Sequence, residues 1–264
     1  LLYFYNFTDI GYISIAISTA VSLSAASLIN MVIIYKIINK TYVLAVNILK
    51  QIISIGWPGG IVSLSWQIGG TALYTILGML PNNSTEIMAA YATGLRIESA
   101  IFMPAFAFNM ANAVIVGNLM GEKKYNEAYK NGIITAFISM AIITIMIAVV
   151  ILFAKPIAML VEPNENVVGE IIKYLYICMI AEPFIALNLA MTGALNGAGD
   201  TKATMRYAIL NIWVLRLPLS YILGITLGFG AAGIWWALNI GFLLQAFLST
   251  RRFINKKWQK IEIM

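Results

Sequence analysis

Four charged side chains stand inside stretches that are otherwise apolar: Arg96, Glu98, Glu182 and Arg216. Placing a charge at the centre of a membrane helix costs about 2.5–3.5 kcal/mol on insertion scales, so such groups are kept only where they find a partner or perform a task. Glu182 is followed by Pro183, which removes a backbone N–H and frees the carbonyl about four residues back. A carboxylate beside an open carbonyl is a candidate proton or sodium site. Burial in general favours the neutral acid and a nearby guanidinium favours the anion, so a carboxyl group held between those limits can exchange a proton. Glu182 and Glu98 are therefore the candidate coupling groups. Arg216-Leu217-Pro218 repeats the Glu182-Pro183 pattern with opposite sign, which makes Arg216 a candidate charge partner. Arg96 and Glu98, two residues apart, point in different directions on a helix, so each needs a partner on another helix, and Arg96 is the second candidate. A purely structural ion pair holding helices in register is the alternative.

Uncharged polar residues line up with these groups. Glu98, Phe102, Ala105, Asn109 and Asn112 share a helix face, as do Gly60, Ser63, Gln67, Gly70, Tyr74 and Gly78. A stripe of small and polar residues is either a packing face or a cavity wall. Gln67, Tyr74, Asn109, Asn112, Asn188 and Asn211 are the cavity-lining candidates. The chain contains no His, which removes a Ser-His-Asp triad, a His-ligated metal and a His proton relay. The single cysteine, Cys178, has no internal disulfide partner and reads as a small packing residue. The expectation is a protein that is not an enzyme, with no catalytic residue, metal or cofactor beyond H+ or Na+ as coupling ion.

The elements that must hold these residues are spanning helices. Of 264 residues, 61% are hydrophobic and 11% charged, a balance that cannot clothe a soluble domain. Crossing about 30 Å of hydrocarbon takes roughly 20 apolar residues, and about seven segments qualify. They are Ile10–Ile38, Ile52–Leu80, Ile87–Met120, Tyr129–Ala154, Val167–Leu195, Ala203–Leu227 and Gly230–Phe253. The third is overlong, with tilting or a bend near Gly94 expected. The fold class is all-α, a polytopic transmembrane helix bundle. Lys36, Lys40 and Lys50 follow the first segment, Lys123, Lys124 and Lys130 the third, Lys202 and Arg206 the fifth, and Arg251, Arg252, Lys256, Lys257 and Lys260 the last. By the positive-inside rule that side, with the C-terminus, is cytoplasmic. The net charge of +6 then reflects topology and attraction to anionic lipid, not nucleic-acid binding.

The residues between the fifth and sixth segments form the most distinctive stretch. In GALNGAGDTK, Gly193 to Lys202, Gly197 and Gly199 permit the positive φ of a helix stop. Asp200 and Thr201 can cap the next helix. The longer run from Gly193 to Leu223, with ATGLRIESAIFMPAFAF (Ala92–Phe108) and VGNLMGEKKYNEA (Val116–Ala128), resembles the multidrug and toxic compound extrusion family over nearly the whole chain. One departure is Asn196, where that family usually has Arg. The resemblance implies two six-helix lobes around a central cavity. It also implies an antiporter of the cell membrane exporting amphipathic, often cationic, compounds against protons or sodium. Residues 1–38 would close the first lobe, 39–51 form a cytoplasmic linker lying along the interface, 52–254 make the second lobe, and 255–264 a basic tail. The expected partners are membrane lipid, small amphipathic substrates and a first lobe on the same longer chain. Relatives with sodium-linked carboxylates in the second lobe place one where Trp66 and Gln67 stand here.

Two other classes are weaker. A lipid-linked sugar flippase needs a more cationic cavity than Arg96 and Arg216 supply. A seven-helix receptor or light-driven pump fits by helix count alone, and retinal attachment needs a Lys in a spanning core, which no segment has. The charge asymmetry sets the test of topology: a cysteine introduced at Ser84 is expected to react with an impermeant thiol reagent only from outside, and one at Lys124 only from inside. Labelling of both from the same face would reverse the assignment.

Overall fold

The computed structural model describes residues 13–37 and 46–260. Every element among them is helical. They fall into two units dividing between Leu49 and Lys50. In the first, helix α1 (Ile13–Ile37) is long and apolar enough to span a bilayer, and side chains such as Val21, Leu28 and Met31 are exposed along it. The expected linker falls partly outside the described residues, and Val46–Gln51 already forms the first turns of the next helix.

That helix is α2 (Val46–Gly78). It is followed by α3 (Ser84–Gly121), α4 (Tyr125–Leu152), a short α5 (Ala154–Val161), α6 (Glu165–Cys178) and α7 (Glu182–Gly197). The chain continues through α8 (Thr201–Thr226) and α9 (Gly230–Ile254) into a 3-10 turn at Lys257–Lys260. Five of these helices are long and apolar enough to cross a membrane, and six if α6 and α7, which meet at 56°, count as one span. The all-α polytopic class expected from composition therefore holds. The second expected span, Ile52–Leu80 in α2, has the length, but Gln67, Gly69, Gly70 and its Ser and Thr residues dilute its apolar content.

Two details of the expected spans change. The segment Val167–Leu195 is not one helix: it breaks over Met179–Ala181, and Pro183 sits in the first turn of α7, where a missing N–H costs nothing. The segment Ala203–Leu227 is wound as α-helix, then π-helix over Leu210–Arg216, α-helix over Leu217–Tyr221 and π-helix again over Ile222–Thr226. Pro218 is the second residue after the first π stretch, at a point where an α-helical hydrogen bond cannot form. By contrast α3 is a single helix of 38 residues, and Gly94 is not a break in it. A Cβ there would strike the ring of Tyr174, so Gly94 is the seat on which α6 rests.

The core has two parts. A large cluster joins Leu73 and Leu77 of α2, Tyr91 and Ile101 of α3, Tyr174 and Leu175 of α6 and Trp235 of α9. A second, built from small residues, joins Ala128 and Ala136 of α4 to Ala190 and Ala194 of α7 and is closed by Phe253 and Trp258. Phe253 stacks on Trp258 at 4.9 Å and on Tyr129 at 5.9 Å between ring centroids, and the Trp258 indole N–H donates to the Phe253 carbonyl at 2.8 Å. Small residues matter because lipid tails are as apolar as leucine, so helices in a membrane associate through close packing.

The closest approach is between α3 and α7. A Cβ on Gly193 would collide with the carbonyl of Asn109, and one on Gly197 with that of Ala113. Gly197 is helical, and only Gly199 takes the positive φ, 82°, that stops α7. The expected role of Gly197 as a turn residue is thus replaced by contact with α3. Gly193→Ala is expected to lower the thermal midpoint of the purified protein by the equivalent of ~1–3 kcal/mol, the usual cost of overpacking. Gly169→Ala, facing open space, is expected to leave it unchanged.

Candidate functional site

Within the second unit, α3, α6, α7 and α8 turn their ionisable groups toward one another. Glu98 and Glu182 are 4% and 2% exposed, and Arg216 is 6% exposed. Glu182 is the first residue of α7, directly after the break, so the bend places its carboxylate where the chain changes direction. Glu98 is close enough to interact electrostatically with both Glu182 and Arg216, and Tyr174 lies beside its carboxylate. Two carboxyl groups from different helices and one guanidinium thus share a buried neighbourhood. Sequence spacing alone left this meeting open.

Arg216 is held by neutral groups. Its Nη2 donates to the Tyr91 hydroxyl at 3.1 Å, and its guanidinium lies 5.1 Å from the centroid of Trp66 and 5.8 Å from that of Phe242. These two rings stack on each other, so α2 and α9 together supply an aromatic wall for the cation. Among the described residues neither Glu98 nor Glu182 forms a direct ion pair with it, and Nε has no hydrogen-bond partner. Arg216 therefore acts on Glu98 as a nearby charge. Arg96 does not join the group. It is exposed, because two positions along a helix turn it away from Glu98, and the role of charge partner falls to Arg216 alone.

The expected cavity-lining residues divide. Gln67 is exposed and Tyr74 half-buried, its ring 5.1 Å from that of Tyr91. Three asparagines are instead sealed into helix contacts. Asn112 Nδ2 donates to the carbonyls of Gly132 and Ala190 at 3.1 and 2.9 Å. Asn188 Oδ1 accepts from Ser249 at 2.8 Å, and Asn211 Nδ2 donates to Gln245 Oε1 at 2.6 Å. Asn109, part-buried, donates to the Leu189 carbonyl and, at 3.3 Å, to Thr192 Oγ1. A buried amide without a partner costs about 1–3 kcal/mol, so these groups pair wherever apolar helices bring them together and serve as ties. One such tie went unnoticed in the sequence: Asn239 Nδ2 donates to the Ile177 carbonyl at 2.7 Å, occupying an acceptor freed at the α6–α7 break. An Asn within the apolar run from Gly230 was the available signal.

The motif turn does a different task from the one its residue types suggest. Asp200 makes no side-chain cap on α8; its Oδ2 accepts from Arg252 Nε at 2.7 Å. Asn196, which departs from the family pattern, accepts from Thr204 Oγ1 at 2.8 Å, and the Thr201 carbonyl accepts from that same hydroxyl. The turn is consequently bolted to the end of α9.

This arrangement matches a known one. The MatE family model aligns with residues 58–222, more than half of the chain and all of α3 through α7. The chain belongs to the MatE family. It is 24% identical over 269 residues to the uncharacterized transporter YisQ of Bacillus subtilis, covering 96% of this chain and 56% of that protein. It is 27% identical over 219 residues to the probable multidrug resistance protein NorM of Thermotoga maritima, covering 81% and 46%. Its fold superposes with a TM-score of 0.85, at 19% identity, on the outward-facing conformation of a multidrug resistance MATE family transporter of the MOP superfamily, covering 97% of this chain and 59% of that one. The chain thus spans about half the length of these curated relatives, and it is a multi-pass membrane protein.

Within this MatE chain the Tyr91–Arg216 contact is the testable link. Tyr91→Phe is expected to cost ~1.5–3 kcal/mol, the range for a hydrogen bond to a charged group, read as a lowered thermal midpoint. In an Arg216→Met background the same change is expected to cost much less, because the charge that needed the hydroxyl is gone.

Proposed function

We propose that this chain is one lobe of a secondary antiporter that exports amphipathic, often cationic, compounds in exchange for an inward flow of protons or sodium ions. The observation that carries this reading is the pairing of two buried carboxyl groups, Glu98 and Glu182, at a broken helix. Discontinuous helices at mid-membrane are where transporters of this general kind build ion and substrate sites. Membership of the MatE family and the names of the relatives support transport over enzymatic chemistry. A proton suits the site better than a metal cation, because the Arg216 charge beside Glu98 repels a bound cation but only tunes a carboxyl group's proton.

In this reading Glu182 takes up a proton when the cavity is open to one side and releases it to the other. The α6–α7 bend is the element whose straightening or bending the proton biases. The Lys- and Arg-rich ends of the helices face the cytoplasm and the protein resides in the cell membrane. A first lobe, completing the same longer chain, supplies the opposing wall. Alternating access needs two lobes rocking about a shared site, so residues 1–264 alone are expected to give no drug efflux from cells. In a complete transporter carrying this lobe, Glu182→Gln is expected to abolish most coupled efflux while expression and membrane insertion stay normal. Reduced insertion with intact efflux per molecule would instead make Glu182 a structural residue.

A further inference from the structure

Where α7 lies against α9 the surface opens into a groove of about 420 Å³. Phe184 and Leu187 form one wall and Leu243 and Phe247 the other, with Thr250 and Arg251 at its end. Two observations define what fits there. The first is depth. Phe184 lies two residues from Glu182 at the helix break, and Leu243 to Arg251 covers roughly 12 Å at 1.5 Å per residue. Half of a hydrocarbon core of about 30 Å is a similar length, so the groove runs the depth of one leaflet, that of the Lys- and Arg-rich side.

The second is charge. No acidic residue lines the groove. At the end of α9 the two neighbouring arginines are in different situations: Arg252 is committed to Asp200, while Arg251 is exposed and, among the described residues, has no ion-pair partner. An apolar trough one leaflet deep, ending at a guanidinium without an ion-pair partner among the described residues, is complementary to an acyl chain joined to an anionic headgroup.

We propose that this groove holds a phospholipid of the cytoplasmic leaflet, one acyl chain lying between Phe184 and Phe247 and its phosphate reaching Arg251. The site selects anionic over zwitterionic headgroups, because Arg251 is the one charge at its mouth. A cationic amphipath is disfavoured there for the same reason.

The test is native mass spectrometry of the 264-residue chain in mild detergent, supplied with equal amounts of dioleoyl phosphatidylglycerol and dioleoyl phosphatidylcholine. The phosphatidylglycerol adduct is expected to exceed the other by about fivefold, the contribution of one basic residue near a membrane surface. Arg251→Gln is expected to bring the ratio to about one, Arg251→Lys to preserve most of it, and Lys257→Gln, at the same end but outside the groove, to leave it intact. Leu243→Trp, which fills the trough from an exposed position, is expected to reduce retention of both lipids. The proposal is overturned by equal retention of the two lipids in the unaltered protein, or by a ratio that survives Arg251→Gln. It also fails if Lys257→Gln lowers the ratio equally, which would mean diffuse attraction by the basic end. Displacement of phosphatidylglycerol by tetraphenylphosphonium that Leu243→Trp prevents would make the groove a substrate site and equally overturn it.

Discussion

Most of the polar groups buried in this chain answer to one constraint: inside an apolar medium no water is available, so a donor, acceptor or charge left without a partner is costly. Arg216 shows the most demanding case. Its guanidinium is met by a tyrosine hydroxyl at Nη2 and by two aromatic faces, with Nε left unpaired, and these groups lower the cost of burial without neutralising the charge. Had a carboxylate paired with it directly, the pair would be electrically closed. Instead the charge is left to act on Glu98, which in turn acts on Glu182.

The same constraint explains the irregular backbone. Breaking a helix inside a membrane leaves carbonyls and N–H groups that lipid cannot satisfy, and irregular backbone is tolerated there only where protein covers it. At the α6–α7 break the Asn239 amide takes the Ile177 carbonyl. In α8 the π-helical stretches around Pro218 keep the ladder closed with a wider turn. Both irregular stretches pack on α9, so α9 gathers the amides, Asn239 and Gln245, that the other helices call for.

At the Lys- and Arg-rich end the problem is different, because water is at hand and the task is to fix the helix ends. The Asp200–Arg252 pair is only part-buried, 25% of the arginine side chain being exposed, and surface pairs of that sort typically contribute less than about 1 kcal/mol. The larger stabilisation comes from Trp258 and Phe253, both fully buried and stacked over the small-residue cluster of α4 and α7. The ion pair therefore sets direction for a closure that aromatic burial holds.

The sequence by itself determined the class of this protein and much of its plan. Apolar runs of sufficient length require spanning helices, the lysines and arginines at alternate ends give them an order, and the motif from Gly193 onward carries a family resemblance that the MatE match later shows. Glu98, Glu182 and Arg216 were legible as anomalies because charge in hydrocarbon needs a reason. What the sequence left open was partnership. Periodicity tells which residues share a face of one helix and says nothing of the face opposite. The same asparagine spacing could thus mean a cavity wall or, as Asn112 and Asn211 show, a tie between helices. Gly197 and Asp200 had residue types suited to a turn and a cap, yet packing against Ala113 and pairing with Arg252 claimed them. Those choices depend on distances between separate helices far apart in the chain, such as Asp200 and Arg252 or Gly197 and Ala113, and only tertiary packing decides them, since a buried polar group takes whichever partner the helix crossing brings within reach.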